Sequence, residues 1–410
     1  MSKASKKAGE DDMTTKKSAA TPAKSSGAKL GFDLARLERV RDAVRADIDA
    51  GRCHGVRLMV ARHGEVAIDL CEGYAERAAN KPMKPDAVFA TMSVAKQFTN
   101  VLALSLVERG LLKLHAPVAE LIPAFATLGK EKVNLYHLLT HTSGVMSAIP
   151  PVAPDVLMDI EKITEYACAL PLESQPGERV NYSILLGHSI IGALCLRAAG
   201  RGRSYAQMLK EEIFEPLGMQ DTSLGARPDL APRLCPVRVS YDNLPALLPP
   251  EAVEGLGALL AMPGGELPGA GCVSTVQDVL RFAEMLRRGG ELDGARILSP
   301  AMLDFCTRNH TGTLRNVLFD MWIGVRNWIE YPASIGCGFF MRGEGNLPGL
   351  FSPMNSPRSF GGFGAGSTGF TVDPVRDLSF AFMSSGLMED SYHFERIAVL
   401  QSMVLAAIVD

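Results

Sequence analysis

The sequence predicts a mixed α/β (α+β) protein in which an antiparallel sheet, flanked by helices, is combined with an all-helical lobe. Strand-like runs occur near the start of the chain, at 56–61 and 66–71, and again near its end, at 369–372 and 378–383. Between these ends, from about 92 to 200, apolar residues recur at helical spacing. The simplest arrangement is one sheet built from both ends of the chain, with terminal helices packed on it.

The first element is a helix. Asp33 can cap its N-terminus, Gly51 can end it, and one apolar stripe runs along it. The stripe consists of Leu37, Val40, Val44 and Ile48. The two strand-like runs that follow are separated by the turn 62–65, which contains Gly64, so we expect them to form a hairpin.

The later elements have equally plain boundaries. Each predicted internal helix ends at a glycine, which tolerates the left-handed backbone of a helix terminus. The helices are 95–109 before Gly110, 184–199 before Gly200, and 276–288 before 289–290, and a last helix covers 392–408. The turn 373–377 separates the two C-terminal strands.

We therefore divide the chain into three parts. Residues 1–29 are predicted to be a disordered basic tail, because they hold too little apolar surface to offset the entropy of ordering. Residues 30–90 and 249–410 form the sheet lobe, and 91–248 the mainly helical lobe. A cleft between lobes is the expected place for a small-molecule site. The segment 331–362, dense in Gly, Pro, Ser and Asn, is predicted to be a substrate lid.

Composition excludes several function classes. The net charge of −3 gives no reason to expect nucleic acid as a partner, and no run of about 20 apolar residues predicts a membrane span. The tail lacks the apolar core of a secretion signal. The eight cysteines form no C-x-x-C pair and mostly sit in apolar runs, which indicates buried free thiols and a cytoplasmic protein. No metal and no cofactor are expected, and the sequence carries no signal for oligomeric state.

One short motif could carry chemistry. Ser93 and Lys96 fit S-x-x-K, and at the start of a helix this spacing places both side chains on one face. A serine hydroxyl needs an adjacent base, and a lysine can serve if burial lowers its pKa. The Ser93 amide would also be free to stabilise an oxyanion. A second copy, 26–29, lies in the tail, where nothing positions it, so the motif alone is weak.

Several further motifs occur in an order and spacing that resemble the serine β-lactamase and penicillin-binding-protein family. The resemblance covers about 37–386 and is strongest to the branch of class C β-lactamases and family VIII carboxylesterases. The matching segments are 89–99 around Ser93, 110–114 before 117–118, 138–144 (Leu-Leu-Thr-His-Thr-Ser-Gly), 176–178 before 182–183, 269–271 before 274–275 and Asp278, and 366–368 before 373–374.

The resemblance implies a β-lactamase/transpeptidase-like fold and a catalytic role for Tyr182. A phenol there could relay a proton if nearby cations such as Lys96 lower its pKa; otherwise Tyr182 would be a core tyrosine with a bonded hydroxyl. Ile184 stands where β-lactamases carry asparagine, which removes an amide that could bind substrate.

The family's third motif is an edge strand that faces the nucleophile. Counting back from 373–374 places it at Gly362, Phe363 and Gly364, followed by Ala365, whose amide would be the second oxyanion donor. An alternative register uses 360–362. Neither register supplies the usual Lys or His, which argues against recognition of a β-lactam carboxylate. The glycines are interpreted as allowing substrate to approach the strand closely.

Two histidines offer rival interpretations. His141 could be a catalytic base, but in the resembled family its motif is a structural loop. His137 and His141, four residues apart, could suggest a metal, but no Glu lies between them and 140–144 indicates a turn.

The sequence therefore favours a serine hydrolase that cleaves a carboxylic ester or small amide through an acyl-enzyme on Ser93. An acyltransferase using the same site is the first alternative, since the acyl group could pass to an alcohol or amine instead of water. A non-catalytic binding protein that kept the fold is the second alternative.

Overall fold

The fold is built around one antiparallel sheet to which both ends of the chain contribute. The computed structural model describes residues 24–240, 249–345 and 347–410. The largest sheet in these residues has seven strands in the order β3-β2-β1-β12-β11-β10-β9. Its strands are Gly55–Arg62 (β1), Glu65–Glu76 (β2), Lys81–Pro82 (β3), Phe340–Met341 (β9), Phe360–Gly364 (β10), Thr368–Asp373 (β11) and Leu378–Ser385 (β12).

Two smaller sheets complete the strands of the described residues. One consists of Phe89–Ala90 (β4), Ser223–Leu224 (β5) and Cys272–Ser274 (β6), and the other of Glu291–Leu292 (β7) and Ala295–Arg296 (β8). The α-helices are Lys24–Lys29 (α1), Leu34–Asp49 (α2), Ala95–Glu108 (α3), Leu135–Leu139 (α4), Pro154–Leu157 (α5), Ile160–Cys168 (α6), Leu186–Ala199 (α7), Tyr205–Leu209 (α8), Pro250–Leu260 (α9), Val276–Arg287 (α10), Pro300–Cys306 (α11), Val317–Arg326 (α12) and Asp390–Ala406 (α13).

The first helix and hairpin follow the sequence prediction. The Asp33 carboxylate accepts hydrogen bonds from the backbone N–H groups of Ala35 and Arg36 and so caps α2. The hairpin turns at His63 and Gly64, whose φ angles of 53° and 83° are those of a two-residue turn that matches the twist of its strands.

Strand β1 separates two apolar cores, so the sheet is buried on both faces. Val56, Leu58 and Val60 pack on the side of α2 and α13, whereas Met59 and Ala61 pack on the side of α10 and the helices of the middle of the chain. Successive side chains of a strand point to opposite faces, which is why one strand can serve both cores. This architecture confirms the predicted fold class.

Other predictions need correction or stay open. Helix α1 lies inside the segment predicted to be disordered, so that prediction is wrong for 24–29, and residues 1–23 lie outside the described residues. The region 92–200, where helical spacing recurs, also holds a long connection between α3, which ends at Glu108, and α4, which begins at Leu135. The division into two lobes stays a prediction.

All eight cysteines are free and seven are buried, as predicted. None of the described helices combines the length and apolarity needed to cross a bilayer.

Candidate active site

The segment that carries Ser93 is held under strain at the edge of the sheet. Met92, the residue before it, has a φ of 49°, a left-handed backbone that costs a non-glycine residue energy. A 3₁₀ turn, Met92–Val94, then leads into α3. Thr91 anchors this turn: its hydroxyl donates to the Cys272 carbonyl at 2.9 Å, and its carbonyl accepts from the Thr368 hydroxyl at 2.7 Å. The turn that carries Ser93 is therefore fixed by the sheet on one side and by β6 on the other.

Lys96 lies directly below Ser93 and is almost completely buried. Its Nζ donates to Ser93 Oγ at 3.0 Å, to the Ile184 carbonyl at 2.7 Å and to the Gly269 carbonyl at 2.9 Å. Only 1% of the residue is exposed, and burial lowers its pKa to about 7. Lys96 therefore loses its proton near neutral pH and can then accept the Ser93 proton.

Tyr182 lies beside both residues. Its ring centroid is 5.1 Å from Lys96 Nζ, and it lines the same cleft as Ser93. Burial raises the pKa of Tyr182, and the neighbouring Ser93 hydroxyl opposes this rise only in part. The condition set for a proton relay, a pKa lowered by nearby cations, is therefore not met, because desolvation dominates. Tyr182 stays a neutral phenol that can donate a proton or a hydrogen bond.

His141 supports Tyr182 without touching the nucleophile. The two rings stack with their centroids 4.4 Å apart. Burial, and then the charge of Lys96, lowers the pKa of His141 to about 3, so its ring is neutral. Behind it, His188 is buried and its Nε2 lies 3.0 Å from Asn100 Oδ1. These contacts fit a positioning role for His141.

Strand β10 passes close to the Ser93 turn. A Cβ added at Gly364 would lie 2.4 Å from the Thr91 carbonyl oxygen, and one added at Gly362 would lie 2.2 Å from Gln97 Oε1. The protein's own segment around Ser93 therefore already requires glycine at these positions, and a close approach of substrate to the strand stays a prediction. Between them, Phe363 packs on Phe394 with ring centroids 4.3 Å apart.

Ala365, which follows β10, faces the same cleft as Ser93. Its N–H donates no hydrogen bond within the part of the chain that the structure describes. The Ser93 N–H lies in the first turn of a helical segment, where amides have no intrahelical acceptor. These two amides are the candidate oxyanion donors. The alternative register, 360–362, contributes no residue to the cleft lining.

Ser93 opens into a mainly apolar cleft of about 860 Å³, including the part open to solvent. Its lining consists of Met92, Ser93, Ile149, Tyr182, Ile184, Val253, Leu256, Leu318, Met321, Phe363, Ala365, Gly366, Leu387, Met388, Glu389 and Asp390. Ile184 thus replaces the missing asparagine with an apolar wall, while its carbonyl holds Lys96.

The predicted lid does not cover this cleft. No described residue of 331–362 lines it. That segment instead lines a neighbouring aromatic cavity of about 510 Å³ together with Phe319 and Trp322 of α12. The walls of the cleft instead come from α9, α12 and the start of α13. These elements lie far from Ser93 in the sequence, so no local pattern predicts that they line the cleft.

Comparison with known proteins places this geometry in a family. The family model described as Beta-lactamase matches residues 40–402. The chain belongs to the Beta-lactamase family. The resemblance predicted from the motifs around Ser93, Tyr182 and the Gly-rich strand is therefore confirmed.

Individual relatives include proteins named as esterases. The chain is 32% identical over 290 residues to esterase EstB of Burkholderia gladioli, covering 62% of this chain and 70% of that protein. It is 28% identical over 359 residues to esterase/beta-lactamase LipL of Mycobacterium tuberculosis, covering 82% and 78%. The solved structure of a family VIII carboxylesterase has the same fold, with a TM-score of 0.73 at 23% identity, covering 90% of this chain and 98% of that one.

Proposed function

We propose that this member of the Beta-lactamase family is a serine hydrolase that cleaves carboxylic esters or small amides through an acyl-enzyme on Ser93. The observation that carries the proposal is the 3.0 Å contact between Ser93 Oγ and Lys96 Nζ at the floor of an apolar cleft. The relatives named as esterases support the ester as the substrate.

Each residue of the site has its own role in the proposed reaction. Neutral Lys96 takes the Ser93 proton while Ser93 Oγ bonds to the substrate carbonyl carbon. The negative charge that forms on the carbonyl oxygen is stabilised by the N–H groups of Ser93 and Ala365. The alcohol or amine leaves with a proton supplied through Tyr182 or Lys96. A water molecule then attacks the acyl-enzyme by the same proton transfers in reverse.

Desolvation makes a lysine base workable here. An exposed lysine has a pKa of about 10.4 and is charged at neutral pH. The buried Lys96, with a pKa of about 7, is neutral in a large fraction of molecules at that pH. In the neutral amine the two N–H groups can donate to the Ile184 and Gly269 carbonyls, which leaves the lone pair to accept the Ser93 hydroxyl.

A serine-directed fluorophosphonate tests the proposal, with mass spectrometry of the labelled peptide as the readout. Wild-type protein should be labelled on Ser93, and Ser93→Ala should not be labelled. The second S-x-x-K copy offers a matched control, since Ser26→Ala keeps the cleft intact and should be labelled like wild type. Absence of labelling in a folded wild-type protein would favour a non-catalytic binding protein.

An ester panel of increasing acyl length then defines the substrate. The apolar walls predict that kcat/KM rises with acyl length until the cleft is filled. Adding a competing alcohol and analysing the products separates hydrolysis from acyl transfer, because a transferase forms the new ester in preference to the free acid.

Cytoplasmic location stays part of the proposal. The eight free thiols support it, since cysteines in reducing compartments stay unpaired.

A further inference from the structure

The cleft contains two carboxyl groups that the proposed chemistry does not use. Glu389 and Asp390 line it together with Ser93, and no Lys, Arg or His is among the described residues of its lining. Both acids stand at the start of α13. Among the described lining residues the charged types are therefore acidic only, and Lys96, which bonds Ser93, lies outside this lining.

Glu389 has one oxygen that the protein leaves unsatisfied. Only 3% of the residue is exposed, and Oε2 accepts hydrogen bonds from the N–H and the hydroxyl of Ser391. Oε1 is enclosed and has no hydrogen-bond partner within the described residues. A buried carboxylate oxygen without a donor is costly, and such groups in native proteins usually have a partner.

Asp390 lies next to the oxyanion site. Its Oδ1 accepts from the Gly366 N–H at 2.7 Å, and Gly366 directly follows Ala365. Surroundings of low polarity and, to a smaller extent, the neighbouring charge of Glu389 together raise the pKa of Asp390 to about 7. Part of the residue is nevertheless exposed to the cleft. A cation placed between the two acids would remove this repulsion and restore both carboxylates.

We infer that the substrate of this site is an ester or amide with an apolar body and a protonated amine, which Glu389 and Asp390 bind. This inference rests on the proposed function and names the substrate class for it. An ammonium N–H group supplies the donor that Glu389 Oε1 lacks, and an ion pair within an apolar cleft is stronger than one in water. A substrate that carries a carboxylate would be repelled by the same pair.

Both acids also have structural roles, so the test must separate charge from folding. Glu389 caps α13 through Ser391, and Asp390 holds the turn at Gly366. Glu389→Gln and Asp390→Asn keep an acceptor oxygen for each bond and remove the negative charge. Glu395→Gln is the matched control, because Glu395 is exposed on the same helix and is absent from the cleft lining.

The test compares esters of the same shape that differ by one charge. For the alcohol side the pair is 2-(dimethylamino)ethyl butyrate and 3-methylbutyl butyrate. For the acyl side it is ethyl 4-(dimethylamino)butanoate and ethyl 5-methylhexanoate. At pH 7.5 wild type and Glu395→Gln should favour the cationic member of at least one pair by about tenfold in kcat/KM.

In the Glu389→Gln/Asp390→Asn double variant the same ratio should fall to about one. Equal rates within both pairs for wild type would overturn the inference, as would a preference that survives in the double variant. Because the ratio is internal to each protein, a general loss of activity or of folded fraction does not change it.

Binding to Ser93→Ala separates this inference from the proposed function. Calorimetry with the four esters should give a Kd about tenfold lower for the cationic member of the preferred pair, and the double variant in the same background should lose the difference. If wild type hydrolyses none of the esters but this difference is present, the hydrolase proposal fails and the amine site stands. If hydrolysis depends on Ser93 but both esters of each pair bind equally, the amine site fails and the hydrolase proposal stands.

Discussion

Two buried lysines of this protein show that burial lowers the pKa of a lysine but does not by itself give the residue a catalytic role. Lys96 and Lys130 are each 1% exposed, each bonds backbone carbonyls, and each lies near an aromatic ring. In both, burial lowers the pKa. Within the described residues the Lys130 amine donates to the Cys168 and Leu170 carbonyls, at 3.0 and 2.5 Å, whereas the Lys96 amine also contacts the Ser93 hydroxyl, which faces a cleft. Desolvation lowers the pKa of a lysine, so that the amine loses its proton more readily, but only an adjacent hydroxyl gives the neutral amine a proton to accept.

The largest expected effect separates these two lysines. Lys96→Ala should lower kcat/KM by about 10³-fold or more, because both the proton acceptor and the contact that orients Ser93 are lost. Lys130→Ala should leave kcat/KM within about threefold and instead lower Tm. Ester hydrolysis and thermal unfolding, measured on both variants, check this. If the two variants lost comparable activity at equal folded fraction, the proposed difference in role between Lys96 and Lys130 would be wrong.

A smaller loss is expected at the phenol. Tyr182→Phe keeps the ring that stacks on His141 and removes only the hydroxyl, which shares the cleft with Ser93. We expect kcat to fall about 100-fold with little change in Tm, the range typical of one proton-transfer group. Burst kinetics with a chromogenic ester show whether acylation or deacylation slows. An unchanged kcat would mean that Tyr182 is a core residue only.

The pH dependence follows from Lys96. Its pKa is lowered to about 7, and only the neutral amine can accept a proton. The kcat/KM for a neutral ester should therefore rise about tenfold per pH unit below 7 and level off above it.

Asp390 is the control for this assignment, because its pKa is raised to about 7 in the same cleft. The rise of kcat/KM with pH should persist in Asp390→Asn. A rise that disappears in that variant would assign the titration to the carboxyl group instead of the amine.

The smallest effect is expected at the histidine. His141→Phe preserves an aromatic stack on Tyr182, so kcat/KM should change by no more than about fivefold, in line with the energy of one aromatic pair. The pH profile should keep its shape, because the pKa of His141 is already lowered to about 3. A 1000-fold loss, or a shifted profile, would support His141 as the catalytic base.

Much of the fold was predictable because the relevant patterns are local. The Asp33 cap, the stripe of α2 and the turn at His63 and Gly64 each depend on a few adjacent residues. The contact between Ser93 and Lys96 belongs to the same class, since three residues span about one helical turn.

The two S-x-x-K copies show what a local sequence pattern cannot distinguish. Ser26 and Lys29 also lie in a helix, α1, so spacing and helix are alike in both copies. Lys29, however, is exposed, whereas Lys96 is enclosed by the Ile184 and Gly269 carbonyls. These come from residues 88 and 173 positions away, which no local pattern reveals.

The remaining features of the site depend on such distant contacts. The raised pKa of Tyr182 reflects complete enclosure, and the unsatisfied oxygen of Glu389 appears only once α13 is packed against the cleft. At the sequence level Glu389 and Asp390 indicate only the start of a helix, because acidic residues are common there.

The pairing of β1 with β12 sets the order in which the active site can form during synthesis. Gly55 and Ser385, partners in this ladder, are 330 residues apart. After Lys96 has been added, the ribosome must still translate roughly two thirds of the chain before Ala365 exists, and more before α13 does. Such long-range pairing slows folding. The nascent polypeptide thus carries Ser93 and Lys96 for most of translation without the Ala365 amide, and the cleft is completed only by the last tenth or so of the chain.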